Sequence, residues 1–412
     1  MTEPPAGPGT AIATQPTPSP NQPVRRPSLD AYRGWVMFLM MAEVLHLPQV
    51  AEQFPQQRWW QWIAFHTSHV AWVGCSLHDL IQPSFSFLVG VALPFSLASR
   101  YARGQSFRLA LGHAMWRAMA LVGLGVLLRS FGKLQIYWTF EDTLSQIGLG
   151  YLFLFLLGHA SPRLQWGMLG LILVGYWLAF ACYPLPAANF PYEQVGITRD
   201  WQTEHQLRGF AGHWNKNTNA AWAADRWLLN QFPRESPFVA NRGGYATLSF
   251  IPTLGTMLLG LIAGRWLRGG GTDPRKLGWL VAAGFVGIAS GWMLNACGVC
   301  PLVKRIWTPS WVLYSGGWCF VILSVIWAIC EVGGWHRWAF PLIVVGANSI
   351  GIYCLVSLTD GYLHRFLVAD AAPTALGALG PAGRSLLAGS VMLVLYWSVL
   401  YFMYRRRIFL RI

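Results

Sequence analysis

The sequence predicts an all-α protein, a polytopic transmembrane bundle of about ten helices. Three observations predict it. The hydrophobic fraction is 54% and only 11% of residues are charged, where a soluble domain carries roughly 25%. Apolar runs near bilayer length recur along the chain. Basic residues gather in alternate connecting segments, as orientation in a membrane requires.

The runs fall near residues 35–47, 77–98, 109–128, 144–158, 166–183, 248–266, 277–294, 311–330, 339–358 and 385–404. The first and fourth are short. Several contain Gly and Pro, which membrane helices tolerate. With the N-terminus cytoplasmic, the inner segments hold Arg25, Arg26, Arg33, Arg100, Arg103, Arg108 and Arg163, then Arg265, Arg268, Arg275, Lys276 and Arg337. The closing "YRRRIFLRI" adds Arg405, Arg406, Arg407 and Arg411. The short outer loops hold fewer: Arg58, Arg129, Lys133, Lys304, Arg305, Arg365 and Arg384. Both termini are therefore expected in the cytoplasm. The net charge of +14 is scattered between spans rather than gathered into a face, so nucleic acid is not an expected partner.

Residues 1–27, "MTEPPAGPGTAIATQPTPSPNQPVRRP", lack an apolar core and so do not form a signal peptide. They read as a disordered cytoplasmic tail, followed by a membrane domain over 28–412 that its own first span inserts. Five of the seven cysteines lie in or beside apolar spans, where a buried thiol is expected. Cys297 and Cys300 form a lone CxxC at a span end, read either as a local disulfide or as two unlinked thiols. No second pair completes a zinc site, and no metal is expected.

One outer segment, about 184–247, is too long to be a turn. Its Asn, Trp and His residues suit two roles, a sugar-binding surface and a packed cap over the bundle. The stretch "FHTSHVAWVGCSLHDLIQPSFSFLVG" sets His66, His69, His78 and Asp79 at the mouth of the second span. Ionisable groups there are costly and call for a function. A carboxylate can fix a histidine's tautomer, so Asp79 serves either as orienter of His69 or as a cap of its own helix. In the third span, His113 and Arg117 lie one turn apart. Arg117 is suited either to an acidic partner or to a phosphate. Asp30 and Arg33, three apart at the first helix start, suit a salt bridge. Glu43, Glu141 and Asp142 lie near span ends and Asn348 lies within the run 339–358, and together they suit a proton or ion path.

Taken in order, "SLDAYRG", "SHVAWVGCSLHDLIQPSFSFLVG", "MWRAMALVGLGVLL", "LSQIGLGY", "DRWLLN" and "GANSIGIY" resemble the heparan-α-glucosaminide N-acetyltransferase family and its bacterial relatives. The resemblance runs from about Ser28 to the last spans and rests on order and spacing. It implies a transmembrane acyltransferase of the bacterial inner (cytoplasmic) membrane. Such an enzyme takes acetyl from cytosolic acetyl-CoA and places it on an amino sugar or glycan across the membrane. By the same resemblance His69, in "H-x-x-W-x-G", is the acetyl acceptor or general base, with Asp79 beside it. Asp30, Arg33 and Arg117 fall on the acetyl-CoA side. Trp72 and Asn348 are read, apart from the resemblance, as substrate-binding. The chain departs from the family at "MAEVLH", where the family has an Asn and Glu43 or His46 stands in. The outer loop after Pro184 matches loosely, and the lysosomal enzyme's luminal domain and extra leading span are not found in these residues.

The chemistry is coherent by itself. A histidine of near-neutral pKa can deprotonate an amine or carry an acyl group. Ser68, Trp72 or a backbone N–H near Gly74 would then face the oxyanion. Expected partners are the acceptor, the lipid bilayer and a second copy in a homodimer. Two other readings are a glycan O-acyltransferase of a related membrane family and a transporter, although no internal repeat is evident.

Overall fold

The computed structural model describes residues 26–367 and 380–410, and the expected tail lies outside these except for Arg26 and Pro27, which open the first helix. Fifteen α-helices run through the described residues: α1 Pro27–Met41, α2 Leu47–Ala51, α3 Arg58–His66, α4 Ile81–Ala102, α5 Phe107–Ser130, α6 Thr143–Gly158, α7 Pro162–Ala181, α8 Arg199–His205, α9 Ala220–Leu228, α10 Phe250–Arg268, α11 Asp273–Ala296, α12 Pro309–Trp327, α13 Phe340–Ala347, α14 Ser349–Arg365 and α15 Gly380–Arg405. Among them there is no β-strand, only an isolated bridge between Val73 and Val303. The all-α membrane bundle is borne out. Seven helices are long and apolar enough to cross a bilayer, eight if the bent pair α13–α14 counts as one span. Helices α1 and α6 occupy the two runs read as short.

Helix starts follow local chemistry. Ser106, Asp142, Ser161 and Thr308 accept backbone N–H groups at the starts of α5, α6, α7 and α12, and proline opens α1, α7 and α12. The run at 339–358 is corrected from one span to two helices meeting at 66°. The break is at Asn348, whose amide donates to the Ile408 carbonyl and accepts from Leu410 N–H, at 3.0 and 2.9 Å. Those bonds fold the C-terminal segment against the bend.

Small residues let the central helices touch backbone to backbone. A Cβ at Gly90 would lie 1.9 Å from the Met257 carbonyl oxygen, and one at Gly260 2.0 Å from that of Phe87. Gly264 meets Val91 in the same way, so Gly260-x-x-x-Gly264 forms the α4–α10 crossing. Gly34 plays this part between α1 and α13.

The segment 184–247 is packed by two buried clusters. Trp72, Trp214, Tyr176, Phe180 and Ile306 share one buried cluster, and Val195, Ile197 and Trp222 another. The amides expected to face a sugar are spent internally. Asn215 bonds both backbone groups of Leu207, Asn217 reaches the Val195 and Asn241 carbonyls, and Asn219 caps α9. All seven cysteines are free thiols; Cys300 is buried, Cys297 exposed.

Candidate active site

His69 lies in the loop between α3 and α4. That loop is held at both ends by hydroxyls. Ser68 Oγ donates to the Ala64 carbonyl at the end of α3, and Ser76 Oγ lies 2.6 Å from the Ser68 carbonyl. Ser76 and Asp79 form a reciprocal capping box: Ser76 N–H donates to Asp79 Oδ2, and Asp79 N–H to Ser76 Oγ. Both roles read for Asp79 are thus present in one side chain. Oδ2 caps, also accepting from Val70 N–H, while Oδ1 lies 2.8 Å from His69 Nδ1.

Asp79 is 1% exposed. A buried carboxylate needs a cation, and Lys304 supplies it. Its Nζ lies 3.1 Å from Asp79 Oδ1 and 3.1 Å from His69 Nδ1. With Lys304 donating to the carboxylate, Nδ1–H of His69 donates there too, which leaves Nε2 with its lone pair. Nε2 makes no hydrogen bond among the described residues, and the His69 side chain is 40% exposed. Burial pushes His69 below its ordinary pKa; the Asp79 hydrogen bond opposes this and the Lys304 charge adds to it. A neutral imidazole results. The His78 ring lies 4.4 Å from that of His69, tilted by 55°, and His78 Nε2 is 3.4 Å from Glu43 Oε1.

An outer and an inner cavity lie among the helices of the described residues. The outer one, about 410 Å³, is lined by His69, His78, Lys304, Glu43, Glu141 and Asp360 among others. The inner one, about 740 Å³, is lined at one end by Asp30, Arg33, Arg100, His113 and Arg117 and elsewhere by apolar side chains of α4 and α6. Phe85, Thr143 and Tyr353 line both, so the cavities adjoin at these three residues. In the inner cavity Arg33 lies 3.6 Å from Asp30. Arg117 stacks on Tyr151 and donates to its hydroxyl, while its buried Nε has no partner among the described residues. No acidic side chain pairs with Arg117 among the described residues.

The structure brings together His69 and Asp79 at one cavity, and Asp30, Arg33 and Arg117 at the other. It does not bring Trp72 or Asn348 to either. Trp72 is buried in the cap core with its indole N–H donating to the Trp214 carbonyl at 3.1 Å. Asn348 is fully buried and tied to the C-terminal segment, whose Phe409 and Leu410 wall the inner cavity. The oxyanion donors considered from sequence are also engaged: Ser68 Oγ with Ala64, and Gly74 N–H with the Leu302 carbonyl. Lys304 was missed as a site residue. Its one sequence signal is a Lys-Arg pair in an outer loop otherwise poor in charge. No group of three or more His, Cys, Asp or Glu among the described residues is arranged to hold a metal ion.

No family profile matches the chain. It is similar to two curated proteins, both named heparan-alpha-glucosaminide N-acetyltransferase. The human protein is 24% identical over 95% of this chain and the mouse protein 22% identical over 93%. In each case the aligned region covers 60% of the relative's length.

Proposed function

Starting from a distant kinship with heparan-α-glucosaminide N-acetyltransferase, we propose that this membrane protein transfers an acetyl or related acyl group from acyl-CoA to an amino sugar or glycan. The observation that carries the reading is the pair of adjoining cavities, one rich in arginine and the other holding His69.

The inner cavity suits an acyl-CoA. Arg33, Arg100 and Arg117 line it with guanidinium groups suited to phosphates, and the apolar wall along α4 suits the thioester arm. This end also carries most of the basic residues, which supports a cytosolic placement with both termini inside. His69, at the other end, supports an acceptor arriving from outside.

The chemistry assigned to the protein is proton and acyl handling at one atom. In direct transfer, Nε2 of His69 takes a proton from the acceptor amine as its nitrogen bonds the acyl carbon. The carbon–sulfur bond breaks, and Nε2 returns the proton to the departing thiolate. In the two-step route Nε2 bonds the acyl carbon as the carbon–sulfur bond breaks and CoA leaves as thiolate; the acceptor amine then bonds that carbon, the Nε2–carbon bond breaks, and the freed Nε2 takes the amine proton. Asp79 holds the required tautomer in either case.

The test is purified protein in lipid vesicles with acetyl-CoA and either an amino sugar or a neutral sugar. Acetylated amino sugar and released CoA are expected, with His69→Ala slower by roughly 10²–10⁴-fold and unchanged in melting temperature. Product on the neutral sugar alone would assign O-acyl transfer. Solute flux without acyl-CoA and normal turnover by His69→Ala would overturn the reading.

A further inference from the structure

The proposed reaction gives no task to one buried charge at its centre. Lys304 comes from the loop between α11 and α12, yet it reaches the carboxylate that binds His69. Its side chain is 5% exposed. The loop that carries it is clamped to the loop that carries His69. Gly74 N–H donates to the Leu302 carbonyl, Val73 bridges Val303, and Arg305 donates to the carbonyls of Gly243 and Val70. So much bracing fixes Nζ relative to the imidazole.

The geometry has an electrostatic consequence. A buried carboxylate 2.8 Å from Nδ1, standing alone, favours the imidazolium, since an opposite charge at that range favours the charged form. An imidazolium can neither take a proton nor attack a carbonyl carbon. An ammonium 3.1 Å from both groups offsets the carboxylate. Among the other groups near His69, Arg305 also disfavours the imidazolium, but its guanidinium is turned to backbone carbonyls and not to Asp79. Glu43 faces His78, Tyr245 is a phenol, and Arg129, Glu141, Asp142 and Asp360 line the same cavity. Burial pushes Lys304 down from its ordinary pKa and Asp79 pulls it back up, so the ammonium depends on the carboxylate as much as the reverse.

We propose that Lys304 is a positioning residue that neutralises Asp79, so that Asp79 orients His69 without protonating it and Nε2 remains an open acceptor. The use of Nε2 in acyl transfer rests on the function proposed above; the charge balance does not. The test therefore needs no acyl-CoA. Diethyl pyrocarbonate acylates only unprotonated imidazole, and peptide mass spectrometry isolates the His69 product. Its rate against pH gives the titration midpoint of that one residue.

Wild-type His69 is expected to titrate below histidine's usual value of about 6.5. Lys304→Met should raise the midpoint by about one unit or more. The same replacement in an Asp79→Asn background, where burial is no longer opposed by a carboxylate and Lys304 loses its charge, should leave the midpoint where Asp79→Asn alone puts it. An unchanged midpoint in Lys304→Met, or an equal rise in both backgrounds, would overturn the proposal. A shift without acyl-transfer activity would support Lys304's role while sinking the proposed function.

Discussion

At the residue scale, one oxygen of Asp79 faces His69 and the other holds the Ser76 and Val70 N–H groups of the loop that leads into α4. Asp79→Asn keeps the shape but removes the charge that fixes the tautomer. It should lower kcat by about 10²–10⁴-fold, with a smaller change in KM for acyl-CoA, whose arginines lie in the other cavity. Steady-state kinetics on the reconstituted protein reads this split. Arg117→Ala should do the converse, raising KM for acetyl-CoA about tenfold by removing a charge-assisted bond. The sign of the pH dependence follows from burial. His69 is held below its ordinary pKa, so the neutral base persists as pH falls through about 6.5. The acid limb of kcat/KM should lie below that value, and a midpoint above it would contradict the assignment. His69 and Asp79 were legible because a single local segment carries both. Lys304 was not, since its meaning lies in contacts 225 and 235 residues away. Trp72 and Asn348 looked available for binding because sequence does not show which polar groups are already spent on backbone.

At the element scale, the spans were legible almost entirely, since each needs only a long apolar run. What sequence reasoning left out was how they fit together. The run at 339–358 read as continuous because nothing local breaks it; its break follows from bonds to residues 408 and 410. The cap's amides were likewise legible as polar and illegible as structural. The α4–α10 contact gives a test of packing. Gly260 sits against the Phe87 carbonyl with no room for a Cβ, so Gly260→Leu should cost at least about 2 kcal/mol. A thermal melt in detergent should fall well below wild type. Gly270, just beyond the end of α10 and with open space around it, makes the control, and Gly270→Ala should melt as wild type does.

At the scale of the whole molecule, α4 joins the two ends of the site. It begins beside His69 and Asp79, passes Phe85 at the meeting of the cavities, and ends at Arg100 in the inner one. The proposed reaction requires an acyl group to pass this junction to reach His69. The most direct measurement is CoA release from acetyl-CoA by Thr143→Phe, a substitution at a residue lining both cavities. A folded protein that still binds CoA at the inner cavity and releases almost none from acetyl-CoA is expected. Release at the wild-type rate would contradict it.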